Sequence, residues 1–255
     1  MAADLSLIAV RGLPDVAPGD DLAGLILGAI EKAGDTLADG DVLVLAQKIV
    51  SKAEGRFVRL ADITPSAEAE DYAAKVDKDP RHVELILRES NDVVRIAPGV
   101  LIVEHKLGIV MANAGIDRSN IAQDKDDERA LLLPEDPDAS AAKLRDTIAE
   151  RTGAKVAVVI ADSVGRAWRY GTTGLAIGCA GINPLVDQRG DTDLFGRVLE
   201  VTEPAIGDEI ASAACLVMGE AAEGIPAVIL RGFDFQARDV SAKVMVRAKN
   251  EDLFR

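Results

Sequence analysis

Six consecutive small or branched apolar residues, Val156 to Ala161, run directly into Asp162 and Ser163. An apolar run bounded by turn residues predicts a strand inside the core, and ligands of α/β proteins collect where such strands end. Gly165, Arg166, Trp168 and Arg169 follow, then Gly171-Thr172-Thr173-Gly174 and a second apolar segment. An acidic group beside a hydroxyl can hold a hard cation, which takes oxygen ligands. The glycines let backbone approach a ligand, and the arginines can bind phosphate or carboxylate through paired hydrogen bonds. A helix-capping Asp followed by a solvated arginine loop is the simpler account of Asp162 taken alone. The cluster as a whole reads as a site.

Around this stretch the chain alternates unevenly between strands and helices. Leu5 to Val10 reads as a strand, and Gly19-Asp20-Asp21 opens an amphipathic helix reaching about Lys32. Val42 to Ala46 is a strand that runs into Gln47 to Lys52. Thr64 to Ser90 looks helical, with Asp79 as a cap and Pro80 at a first helical position. Val93 to Ile96, Val100 to Glu104 and Leu107 to Met111 predict an antiparallel meander. Gln123 to Asp138 reads as an exposed charged loop, and Ala139 to Thr152 as a helix. Asp187 to Gly196 reads as a polar, mobile region. A helix is expected from Glu209 to about Glu223, with Glu220 at the edge of its apolar face, and Ala227 to Arg231 as a last core strand. The pattern is α+β (mixed α/β), not a clean doubly wound sheet. At 255 residues one large domain or two modest ones are possible, and no composition shift marks a boundary.

Composition narrows the partners. The formal net charge of −14 argues against nucleic acid or an anionic membrane, both of which need a basic surface. It leaves nucleotides open, because bridging divalent cations and a few local Lys and Arg can hold a polyphosphate. Only 3% of residues are aromatic, so the core must be Val, Ile, Leu and Ala. Cys179 and Cys215 stand far apart in apolar surroundings and read as reduced core thiols of a cytoplasmic protein. The N-terminus lacks signal-peptide features, and no apolar run reaches bilayer length.

No Walker sequence, strand-linked GxGxxG, HExxH or GxSxG occurs. His82 and His105 are separated and have no plausible nucleophile in sequence, which disfavours Ser-His or Cys-His hydrolysis. What remains is carboxylates after strands: Asp117 beside Asn120, Asp162 beside Ser163, and Glu220 to complete a set for one or two divalent ions. Lys52, Arg166 and Arg169 are the candidate phosphate contacts. Each carboxylate, taken singly, is more simply a cap or a turn residue, and each basic residue can equally be a solvated surface charge.

Five segments together carry a resemblance. GLPDVAPGDDLA, DGDVLVLAQKIVSKAEGR, VEHKLGIVMANAGIDRSN, VVIADSVGRAWRYGTTGLAIGCAGI and GDEIASAACLVMGEAAEGIPAVILRG fall in the order found in the coenzyme F-420-0:L-glutamate ligases. The chain resembles that family over nearly its whole length. The resemblance implies a family-specific mixed-sheet fold and an intertwined homodimer. It also implies GTP-dependent addition of L-glutamate to coenzyme F-420-0, with magnesium or manganese at two sites and help from potassium. Carried over by motif, Asp117 and Asp162 match ligands of one metal, and Ser163 and Glu220 those of the second. Leu13, Pro14, Asp15 and Val16 match an N-terminal nucleotide segment; Gln47, where a serine is common, and Lys52 match further contacts. Asn120 and the run Met218, Gly219, Glu220, Ala221, Ala222, Glu223, Gly224 and Ile225 match the remaining nucleotide contacts. Arg166, Arg169 and Thr172 are candidate catalytic residues on chemical grounds only. The alternatives are another metal- and nucleotide-dependent ligase or phosphotransferase, or a non-catalytic dimeric nucleotide-binding module. The final AKNEDLFR reads as the start of a linker. Some bacterial members continue into a nitroreductase-like domain, and none is expected within residues 1–255.

Overall fold

The computed structural model describes residues 4–121 and 128–253. Its centre is a five-stranded mixed sheet in the order β1 (Ser6–Ala9), β10 (Ala227–Arg231), β2 (Val42–Ala46), β8 (Ala157–Arg166) and β9 (Arg169–Ala180). Only β2 and β8 run parallel; the other neighbours are antiparallel. Both faces of the central strands are covered, which is why they read as unbroken apolar runs rather than alternating ones. Leu43 and Leu45 of β2 and Val158 and Ile160 of β8 face α1 (Leu22–Lys32) and α5 (Pro137–Thr152). Val42, Val44, Ala157 and Val159 face α6 (Ile206–Met218).

The helices lie close because glycines let them. A Cβ on Gly174 would sit 2.4 Å from the Ala211 carbonyl oxygen of α6, and one on Gly178 would sit 2.5 Å from Pro137 backbone at the start of α5. Real side chains do not tolerate either distance, so β9 carries α6 on one face and α5 on the other only with glycine at these positions.

A second cluster gathers α3 (Ala67–Val76), α4 (Pro80–Arg88) and the meander β4 (Ser90–Ala97), β5 (Val100–His105) and β6 (Val110–Ala112). The meander and the Asp79 cap with Pro80 at the first turn are as expected. The helical stretch before it is two helices, not one, because Asp77 ends α3 in the left-handed conformation, φ 54°.

Three further expectations need correction. Within the supposed loop 123–138, residues 123–127 lie outside the described residues. Arg129–Leu131 is a strand, β7, paired with β3 (Phe57–Arg59), and Ala130 to Leu133 are buried. The glycine- and arginine-rich stretch after Asp162 is not a loop: β8 and β9 stay paired through Gly165 and Thr172, with Arg166, Trp168 and Arg169 at the hairpin tip. Backbone pairing needs no apolar side chain, so polar composition concealed it. Finally, α6 stops at Met218, so Glu220 lies beyond the helix and not on its edge. The region 187–196 is exposed and turn-rich, with Thr192 bridged to Val198.

Candidate functional site

The parallel pair β2 and β8 ends at one level of the sheet, Ala46 beside Ala161. Past Ala46 the chain turns at once into α2 (Gln47–Ala53), and past Ala161 come Asp162 and Ser163. A cavity of about 640 Å³ opens there. Its walls are the segment after β1, the first turns of α2, the turn carrying Asp117, the start of the β8–β9 hairpin and the stretch after α6. Every residue carried over by motif in a nucleotide or metal role lines it, from Leu13–Val16 through Gln47, Lys52, Asp117, Asn120, Asp162 and Ser163 to Met218–Ile225. Thr172 lines it as well. Arg166 and Arg169 do not; both are exposed at the hairpin tip, where Arg166 donates to the Gly171 carbonyl at 3.3 Å.

Asp117 arrives on an uncommon backbone. Asn113 and Ala114 both take left-handed φ values, 52° and 55°, and non-glycine residues held there are strained by about 1–3 kcal/mol each. The turn is held by its surroundings: Asn113 Oδ1 accepts from the Leu101 N–H at 3.3 Å, and Asp117 exchanges backbone hydrogen bonds with Leu131. That second contact is the task of β7, the strand hidden in the supposed loop. Strain of this sort concentrates at functional sites.

The stretch after α6 is shaped by Gly219, φ 72° and ψ −179°, where a Cβ would fall 2.2 Å from Glu223 Cδ. Glu223 can then fold back to accept from the Ala221 N–H at 2.8 Å, while Asn120 Nδ2 donates to the Ala221 carbonyl at 3.1 Å. Two walls of the cavity are thereby tied together.

The charges are unevenly satisfied. Lys52 donates to Asp15 Oδ1 at 2.6 Å. Lys48, which the sequence did not single out, contacts Asp117 Oδ2 at 2.5 Å and the Ser119 carbonyl and hydroxyl at 3.2 and 3.3 Å. Ser163 Oγ donates to Glu220 Oε1 at 2.8 Å. Burial works to raise the Asp117 carboxyl, but hydrogen bonds from Lys48 and Ser119 outweigh it and hold the group below its usual range. Asp162 goes the other way. Burial, reinforced by the negative charges of Asp117 and Glu220 and only partly offset by the Ser163 N–H and Lys48, pushes it up to about 7. A carboxylate so placed is short of positive charge, which marks it as a functional candidate.

The donor set is all oxygen: three carboxylates and a serine hydroxyl. Among the described residues no group of three or more His, Cys, Asp or Glu side chains closes into a protein-only metal cage. Oxygen ligands in ones and twos fit magnesium or manganese of the kind that completes its shell with water and substrate phosphate. They fit neither a structural zinc site nor a calcium cage built only from protein.

Comparison with known proteins agrees with the motif order. Residues 12–232 match the family model described as F420-0:Gamma-glutamyl ligase. The chain belongs to that family. It is 47% identical over 253 residues to a protein of Methanothermobacter thermautotrophicus named Coenzyme F420:L-glutamate ligase, covering 98% of this chain and 99% of the relative. Proteins of the same name from Methanopyrus kandleri (46% identical over 244 residues, 94% of this chain and 93% of the relative) and Archaeoglobus fulgidus (45% over 247 residues, 96% and 94%) align almost as fully. The matched span of the gamma-glutamyl ligase family model contains every wall of the cavity, from Leu13 to Pro226.

Proposed function

We propose that this chain is a GTP-dependent ligase that adds L-glutamate to coenzyme F-420-0. The observation that carries the reading is the convergence of five sequence-distant motif segments on one acidic, oxygen-lined cavity at the ends of β2 and β8. In this reading the acceptor carboxylate of coenzyme F-420-0 takes the γ-phosphoryl group of GTP, releasing GDP. The amine of L-glutamate then attacks the resulting acyl phosphate, forms the amide and releases phosphate. No side-chain nucleophile is needed in this sequence of steps; the cavity presents mainly carboxylates, lysines and hydroxyls, with the Cys215 thiol beside Ser163.

Asp117 and Asp162 would hold one magnesium or manganese ion, and Ser163 with Glu220 a second. Divalent cations so bound neutralise the phosphate oxygens during transfer. The chain's own contribution is orientation. Asn120 and Glu223 brace the 219–225 stretch, and Lys52, anchored by Asp15, carries positive charge into a wall otherwise rich in carboxylates. Potassium as a helper ion belongs to the same reading. So does a homodimer, supported by the large apolar side chains exposed on the hairpin and the following excursion, Trp168, Tyr170, Leu194 and Phe195. The single-domain assignment for residues 1–255 and a cytoplasmic location are part of it too; among the described residues no helix is long and apolar enough to cross a membrane.

The test is GTP turnover and product mass with coenzyme F-420-0, L-glutamate and Mn²⁺, comparing wild type with Asp162→Ala. A mass gain of whole glutamyl units, lost in the variant, is the expected result. GTP binding with no glutamyl product would sink the ligase reading and leave a nucleotide-binding module or another transferase.

A further inference from the structure

Lys48 behaves as a ligand would. A lysine ammonium has three N–H donors, and this one faces three oxygens of a single turn: Asp117 Oδ2, the Ser119 carbonyl and Ser119 Oγ. The other Asp117 oxygen is taken by the Ser119 N–H at 2.6 Å. Both carboxylate oxygens of this candidate cation ligand are therefore already engaged, and the one facing a cation donor is held by the chain's own positive charge. The second cavity lysine is different. Lys52 pairs with Asp15, an exposed carboxylate at the rim with no part in the cation set.

Resting on the cation-site reading above, we infer that the Lys48 ammonium is a resident substitute for the divalent cation at Asp117, and that cation binding proceeds by displacing it. A magnesium or manganese ion on Asp117 Oδ2 would lie about 2.1 Å from that oxygen, hence within about 5 Å of an ammonium still bonded to it. Like charges that close in a half-buried site repel strongly. The two cations exclude one another, and Lys48 must swing out of the turn as the ion enters. Two consequences follow. In the cation-free protein Lys48 keeps the turn 117–119 in its binding shape. In exchange it competes with the ion, lowering affinity for a bare cation.

The experiment measures Mn²⁺ binding to nucleotide-free protein, by the spin-resonance signal of free Mn²⁺, for wild type, Lys48→Met, Lys48→Gln and Asp117→Asn. Removing the competing charge is expected to tighten the first Mn²⁺ roughly tenfold in both Lys48 variants. Asp117→Asn is expected to weaken it, and to erase the gain when combined with Lys48→Met. Lys48 variants that bind Mn²⁺ no more tightly than wild type, while Asp117→Asn weakens binding, overturn displacement and leave the cation site standing. Unchanged binding in Asp117→Asn overturns the cation-site reading itself, and the inference with it. Should neither Lys48 variant fold, a structure of the wild-type protein with Mn²⁺ decides. Lys48 Nζ is expected to have left Asp117 Oδ2, and a nitrogen still at hydrogen-bonding distance beside a bound ion overturns the proposal.

Discussion

Two carboxylates sit at opposite ends of the parallel pair β2–β8, and their treatment differs. Asp41, just before β2, is 1% exposed and is gripped by Arg231 through bonds of 2.9 and 2.8 Å. Arg231 also reaches Asp35 and the Thr36 carbonyl, and bonding to Asp41 and Asp35 raises its own pKa against the cost of burial. Asp162, just past the apolar part of β8, is pushed up to about 7 by burial and by two neighbouring carboxylates. A charge that serves the fold is neutralised by the fold. A charge left short of a partner at the open end of the same strands is one that a ligand completes.

The largest expected effect breaks the second half of that comparison. Asp162→Asn should abolish cation-dependent glutamyl transfer, by at least a hundredfold, yet leave the melting temperature of the cation-free protein unchanged or higher, because it removes a crowded carboxylate. Product mass and a thermal melt in chelator read the two together. A large fall in melting temperature would mean that Asp162 serves the fold after all.

The mirror experiment is Asp41→Asn. It strands Arg231 without its main partner, and breaking such a pair costs about 2–4 kcal/mol, discounted from the fully buried case because Arg231 is partly exposed. Denaturant unfolding should register that loss, while turnover per folded molecule stays near wild type. The two variants together would show stability and activity separating along a single pair of strands.

How visible this was in sequence differs by link. The strands β2, β8 and β10 announce themselves because a strand covered on both faces must be apolar throughout. Caps such as Asp21 and Asp79 were legible because the side-chain bond is local. The cavity residues were legible only as a set of motifs, since none is distinctive singly. Lys48 was not, because its partners lie 69 and 71 positions away, at Asp117 and Ser119. The hairpin arm was missed because pairing between Val164 and Thr173, or Gly165 and Thr172, is carried by backbone that any composition can supply. Glu220 was misplaced by a helix pattern that runs on past Gly219, where conformation and not hydrophobicity ends the helix.

A third kind of buried group tests the rule without charge pairing. His82 and His105 are both buried, and His82 Nδ1 and His105 Nε2 have no hydrogen-bond partner among the described residues. Burial lowers each to about 4. Around His82, Lys78 and Arg118 add to the effect and Asp79 opposes it; around His105, Glu89 opposes it and Lys106 and Arg56 add to it. The folded values lie below the unfolded value near 6.5, so the unfolded chain takes up protons first. The stability these neutral imidazoles contribute is present above about pH 6.5 and is lost as pH falls towards 4. By pH 5 the loss should be on the order of 1–2 kcal/mol for each histidine. Unfolding curves at pH 7 and 5 for wild type and His105→Gln measure it: the variant's change should be less destabilising than wild type's by one histidine's share, about 1–2 kcal/mol, while the raised Asp162 carboxyl, which gains stability as pH falls, shifts both proteins alike. An equal drop in both would place the acid sensitivity elsewhere.

The smallest effect is expected where the sequence pointed most plainly to chemistry. Arg166 and Arg169 stand at the exposed tip of the β8–β9 hairpin and outside the cavity lining. Replacing both with Ala should change unfolding free energy by less than about 0.5 kcal/mol, as for surface positions generally, and leave Mn²⁺ affinity at wild-type level. Turnover should then stay within about twofold of wild type, which would make Asp162 the indispensable charge of this strand and the arginines its solvated end. A loss of glutamyl transfer with cation binding and stability intact would redraw the comparison. The hairpin tip would then be reaching a substrate from outside the cavity of its own chain, and the end of β8 would carry function along its whole length.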